Sequence, residues 1–201
     1  MSNLLNEVSQ YLTDDVISQL SRQLGASDAS QVRNASMNVA ELLLGAVTKN
    51  ANHQERGGGL MSAIQRDHDG GILGDIIGVL SGQSQVSNPK TTNGAGILNH
   101  LLGKKQLEAA QVVGQSSGLD IFKSGVLMQL MAPIVMGVIG KKQRSGGLDL
   151  GGLASILLSG VQGQSSQGGG AAGMFGKLLD MDGDGSAMDD LLNIGMKFLR
   201  K

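Results

Sequence analysis

The stretch that decides the fold is Ile121-Phe122-Lys123-Ser124-Gly125-Val126-Leu127-Met128-Gln129-Leu130-Met131-Ala132-Pro133-Ile134-Val135-Met136-Gly137-Val138-Ile139-Gly140. From Val126 to Gly140 only Gln129 interrupts the apolar residues. That run is shorter than the roughly 20 residues needed to span a bilayer, so it predicts a buried helix and no membrane span. Asp120 stands where a cap belongs, and Pro133 is expected to kink the helix because it removes one hydrogen bond. Lys141, Lys142 and Arg144 follow at the C-terminal end, where positive charge complements the helix dipole.

Composition agrees with a helical protein. The 201 residues include ten Met and abundant Leu, Ile, Val and Ala, but one Tyr, three Phe and no Trp. Leu, Met and Ala favour helices, and few β-branched or aromatic runs argue for strands. The expected fold is therefore all-α, an irregular multihelical array whose pattern allows two tandem helical subdomains. Scarce aromatics count against an enzyme pocket and a base-stacking platform. A net charge of −1 without a long basic run lacks the footprint of a nucleic-acid binder. No cysteine is present, which excludes disulfides and thiolate metal sites. Ser2-Asn3-Leu4-Leu5-Asn6-Glu7 has neither the basic nor the apolar region of a signal peptide, so the expected compartment is the cytoplasm.

Outward from the apolar stretch, the other helices follow from periodicity. A first covers Asn3 to Leu12. A second starts at Thr13, with Asp14 and Asp15 in its first turn and a Val16, Ile17, Leu20, Leu24 stripe, and Gly25 ends it. Ser27 is read as the cap of a third, which carries Val32, Ala35, Val39, Leu42, Leu43 and Ala46 out to about Asn50. This pair resembles a helix-turn-helix, but its second helix carries little basic charge beyond Arg33, and two packed helices explain it better. Glycine is abundant, 32 residues against a usual ~7%. Gly57-Gly58-Gly59 and the stretch from Gly163 to Gly170 read as flexible joints. Leu60 to Ile64 and Ile72 to Leu80 read as short helices. Further helices are expected over Ile97–Leu102, Lys104–Ser117 (Leu107, Ala110 and Val113 on one side), Leu148–Val161 and Met174–Leu179, with a last one running to Phe198. The organisation is an N-terminal subdomain over 1–82, a polar linker over 83–96, a central subdomain over 97–162, a Gly/Ser/Gln linker over 163–170 and a C-terminal hairpin over 171–201.

The halves overlay. Gly25 matches Gly118 and Ala40 matches Pro133, each pair 93 residues apart (25 to 118, 40 to 133). At a second offset, Asp67, Asp69, Gly70 and Asp75 fall on Asp182, Asp184, Gly185 and Asp190.

Those aspartates are the chemically pointed feature. Asp180, Asp182 and Asp184 take positions one, three and five of a calcium loop, Gly185 takes the sharp turn, and the Ser186 carbonyl follows. Alternation turns successive carboxylates toward one centre, where a cation relieves their repulsion. The twelfth position is Leu191, so Asp189 or Asp190 has to replace the usual bidentate carboxylate, and affinity is expected near 10⁻⁴ to 10⁻³ M. A second reading explains most of the same residues. Asp-Gly-Asp-Gly is turn chemistry, and Ser186-Ala187-Met188-Asp189 is a capping box. The upstream copy, Asp67, Asp69 and Asp75, has Gln65 in place of the first aspartate and is the weaker candidate. His53, His68 and His100 are isolated. His68 reads as a solvated loop residue, and His100 as a buried, hydrogen-bonded one.

Gly96-Ile97-Leu98-Asn99-His100-Leu101-Leu102-Gly103, Ser117-Gly118-Leu119 and Leu127-Met128-Gln129-Leu130-Met131-Ala132-Pro133-Ile134-Val135-Met136-Gly137, together with Asp182-Gly183-Asp184-Gly185-Ser186 and Asp189-Asp190, resemble the YidB-like bacterial proteins, grouped as a domain of unknown function. Gln23-Leu24-Gly25-Ala26-Ser27 fits the same pattern, so the resemblance covers most of the chain. Ala40-Glu41 departs from it, since the resemblance implies a proline there. It implies a multihelical array and supplies no activity or catalytic residues. The expectation is a non-enzymatic protein acting through helix-mediated contacts with a protein partner or with itself. The alternative is a weak calcium module whose loop at 180–190 orders the C-terminal helices.

Overall fold

A computed structural model of the chain describes residues 4–52, 57–83 and 88–146. The expected Leu148–Val161, Met174–Leu179 and terminal helices, the 163–170 linker and the Asp180–Asp190 loop lie outside the described residues, as does His53.

The elements in order are α1 (Leu4–Tyr11), α2 (Asp14–Leu24), α3 (Ala29–Asn52), α4 (Gly57–Asp67), a 3-10 turn (Gly71–Gly74), α5 (Ile76–Ser81), a 3-10 turn (Pro89–Thr92), α6 (Gly94–Leu102), a 3-10 turn (Gly103–Lys105), α7 (Gln106–Ser117) and α8 (Ile121–Arg144). No strand occurs among the described residues. The all-α reading is what the structure shows.

Local chemistry sets most boundaries. Thr13 Oγ1 accepts the Val16 N–H and opens α2. Gly25, at φ +58°, closes it in the left-handed conformation that costs glycine least. The cap of α3 is Asp28 rather than Ser27: its Oδ1 accepts the N–H groups of Ser30 (2.9 Å) and Gln31 (3.1 Å). A carboxylate answers both the free donors and the positive end of the helix, which a hydroxyl one residue further out does not. The same grammar recurs before α8. Gly118, at φ +76°, ends α7, and Asp120 Oδ1 accepts the Lys123 N–H at 2.8 Å.

The first offset of the predicted repeat recurs in the helices, while the aspartate copy at 182–190 lies outside the described residues. Each half runs helix, left-handed glycine, aspartate cap and a 24-residue helix, α3 in one and α8 in the other. The long helices pack on each other, and the shorter ones reciprocate: α1 and α2 contact α8 while α6 and α7 contact α3. One hydrophobic cluster takes residues from Leu4 to Ile139, so both sides of the 83–96 segment share a core. Part of that segment is structured. Thr91 is buried and its Oγ1 donates to the Asp67 carbonyl at 2.8 Å.

α8 is the axis of this arrangement. Every residue from Met131 to Gly140 is buried, so that part of the helix is enclosed on all sides. At 24 residues, about 36 Å by its rise, it is longer than its apolar run suggested and would reach across a membrane by length and composition. In this fold 61% of its apolar window is buried inside the protein. The helix continues through Pro133. Two further expectations change: the glycines at 57–59 form the first turn of α4, and Leu107, read as core, is 66% exposed.

Candidate functional site

The described polar chemistry converges where the Asp67–Asp75 loop meets the last turn of α8. Asp67 ends α4, and its carboxylate pairs with Arg66 at 2.8 Å and accepts from Asn88 at 3.1 Å. The Arg66 hydrogen bond, with help from Asn88, holds that carboxyl down to about 2. Asp69 Oδ1 accepts the Gly71 N–H at 2.8 Å, and its other oxygen meets Arg144 at 2.9 Å. These two bonds, the backbone one foremost, lower its pKa as well. Asp75 Oδ1 accepts the Gly78 N–H at 3.0 Å and caps α5. The three carboxylates are thus directed to an ion pair, a turn and a cap. Among the described residues no group of three or more His, Cys, Asp or Glu side chains gathers as a metal cluster.

The bases of α8 do more than complement its dipole. Lys141 Nζ donates to the Tyr11 hydroxyl at 2.8 Å and sits 5.5 Å from that ring's centroid. Lys142 pairs with Glu7, and Arg144 with Asp69. One helical turn therefore fastens α1 twice and the 67–75 loop once.

The histidines exchange the roles expected of them. His68 is 6% exposed, its Nδ1 has no partner, and burial lowers its pKa against the pull of Asp67 and Asp69. The cause is Gly140: a Cβ there would lie 1.5 Å from the His68 carbonyl oxygen, so only glycine lets the loop press onto α8. His100 is exposed. The buried face of α6 is centred on Ile97, Leu98 and Leu101, which turns Asn99 and His100 outward.

Two clefts flank this junction. The larger, about 580 Å³, is open and lined by Tyr11, Asp69, Lys141, Arg144 and Ser145 among others. The smaller, about 270 Å³, lies between Gln65, Asp69, Gly140, Gln143 and Arg144. Sequence reasoning passed over Gln65 and Gln143 as site residues because only the docking of α4 onto α8 brings them together. Elsewhere the surface carries isolated large apolar side chains: Phe122 is 77% exposed, and Ile77 and Ile121 join Leu107. The helix-turn-helix candidate is α2 and α3, whose Arg33 is tied back to the Leu12 carbonyl and to Asp14, both at 2.6 Å.

These features define a class: an all-helical protein in which a helix–glycine–long-helix unit is used twice around a shared core. A family model described as a bacterial protein of unknown function (DUF937) matches residues 6–142 and 149–196, and the chain belongs to that family. Neither the curated proteins nor the solved structures include a match to this chain.

Proposed function

We propose that this protein is a non-enzymatic interaction module acting through helix surfaces, self-association included. The observation that supports the reading is Phe122, at 77% the most exposed large apolar side chain among the described residues, standing at the start of α8 beside the exposed Ile121. An exposed aromatic side chain offers a large apolar area that a partner can bury. Burying such a side chain contributes about 1.5–3 kcal/mol, so Phe122→Ser weakens association by roughly ten- to a hundredfold and leaves the fold intact. Light scattering across a concentration series tests this. The mass should rise with concentration in the native protein and fall back toward monomer in the variant. A strict monomer at every concentration sinks self-association.

A second reading rests on the aspartate alternation at Asp180, Asp182 and Asp184, completed by the Ser186 carbonyl and Asp189 or Asp190. It makes the C-terminal segment a weak calcium site.

A further inference from the structure

The two halves of the core are related residue by residue. At the 93-residue offset, Leu4 and Val8 of α1 fall on Ile97 and Leu101 of α6, and Val16 and Leu20 of α2 on Ala109 and Val113 of α7, all of them buried. One body breaks this twofold order. α4, the 67–75 loop and α5 lie against α3, α8 and α2. The main described neighbours of α7 are α3, α6, α8 and the turn before it, so none plays for α7 the part that α5 plays for α2.

The sequence beyond α8 carries a matching body. At the 115-residue offset of the aspartate copy, the buried Ile64 of α4 falls on Leu179, and the left-handed Gly70 on Gly185. The α5 cap Asp75 falls on Asp190, and the buried Ile76 on Leu191. The contact surfaces also exchange bulk. α8 receives the loop at two glycines: a Cβ at Gly137 would meet Ile72 at 3.1 Å, and one at Gly140 the His68 carbonyl oxygen at 1.5 Å. On α3 these glycines become Leu44 and Val47, while in the C-terminal copy Ile72 and His68 become Ala187 and Gly183. In each pair the helix gains a side chain where the incoming segment loses one, which conserves the volume of a close-packed contact.

We infer that residues 172–196 dock on α3 and α7 of their own chain as the segment from α4 to α5 docks on α8 and α2, with Ala187 against Leu44 and Gly183 against Val47. The residues from 147 to 171 span up to ~3.3 Å each, enough to reach that side from the end of α8. Docking completes the twofold arrangement and brings the Asp180–Asp190 loop to the last turns of α3.

The chain has no cysteine, so Leu44→Cys/Ala187→Cys in the full chain tests the contact by disulfide formation in dilute solution. A disulfide-linked monomer is expected, since the bond requires Cα atoms within about 7 Å. A disulfide-linked dimer, which would put the segment on a second copy, overturns the inference, as does a folded variant that stays reduced. A residue swap decides independently of whether that variant folds. Leu44→Ala should lower Tm by roughly 5–15 °C, and Ala187→Leu by roughly 3–10 °C through overpacking. The double variant, which exchanges the two residues, should recover at least half of the summed loss. Thermal melting by circular dichroism reads all three. An unchanged Tm in Ala187→Leu, or a double variant whose loss equals the sum of the singles, overturns the inference.

Discussion

Gly140→Ala and Gly125→Ala place the same methyl group on the same helix and should move stability in opposite directions. In a helix interior, alanine is favoured over glycine by about 1 kcal/mol, and both substitutions gain that term. At Gly125 nothing lies within 4 Å of the new Cβ, so the gain stands. At Gly140 the Cβ would sit 1.5 Å from the His68 carbonyl oxygen and 3.5 Å from Asp69 Cα. Both are backbone atoms of the docked loop, so no rotamer change relieves the clash. The loop must retreat by roughly 2 Å to restore ordinary contact, which loosens the Arg144–Asp69 pair and the packing of Ile72, itself 5% exposed, on α8. Overpacking costs about 1–3 kcal/mol, and partial exposure of Ile72 adds a share of its roughly 1.5–3 kcal/mol of burial. After the propensity gain, the net loss for Gly140→Ala is about 2–4 kcal/mol. At roughly 2–4 °C per kcal/mol for a chain of this size, its Tm falls by about 5–15 °C while that of Gly125→Ala rises by a few degrees. Thermal melting by circular dichroism at 222 nm reads both. If Gly140→Ala melts at or above the native temperature, the close approach of the loop to α8 is wrong.

Three further outcomes follow, two from contacts in the fold and one from the aspartate alternation in the sequence. Asp120→Ala should cost about 1 kcal/mol through loss of the α8 cap, and Asp120→Ser should recover most of it; urea unfolding separates them. His68 has a folded pKa below its ordinary ~6.5 because it is buried, so its contribution is intact above that value and declines as pH falls beneath it. A Tm series from pH 8 down to about 5 should therefore slope in the native protein and flatten in His68→Gln. Asp67 and Asp69, whose pKa values are lowered, lose their contributions only in a more acidic range. For the calcium reading, a Kd near 10⁻⁴ to 10⁻³ M implies about 1–3 kcal/mol of stabilisation at ~10 mM calcium. That shift should vanish in Asp182→Ala/Asp184→Ala, and no shift in the native protein ends the reading.

The sequence by itself determined what short-range chemistry controls. Thr13, Gly25, Gly118 and Asp120 mark helix ends because caps and left-handed turns involve hydrogen bonds only two to five residues apart. The all-α class and the recurring helix–glycine–long-helix unit were legible for the same reason, since both are patterns of helix start, helix stop and apolar period. Misreadings arose wherever a neighbour distant in the chain decided the outcome. Leu107 looked like core by spacing, yet α7 turns Ala109, Ala110, Val113 and Gly114 inward and leaves it outside. His68 and His100 exchanged environments because one loop could press onto Gly140 and one helix face was already filled by leucine and isoleucine. Lys141, Lys142 and Arg144 looked sufficient as dipole partners, but Tyr11, Glu7 and Asp69 reached them from far along the chain. Helix ends follow from local hydrogen-bond bookkeeping. Burial and ion pairing depend on which surfaces meet, and only the packing around α8 decided that.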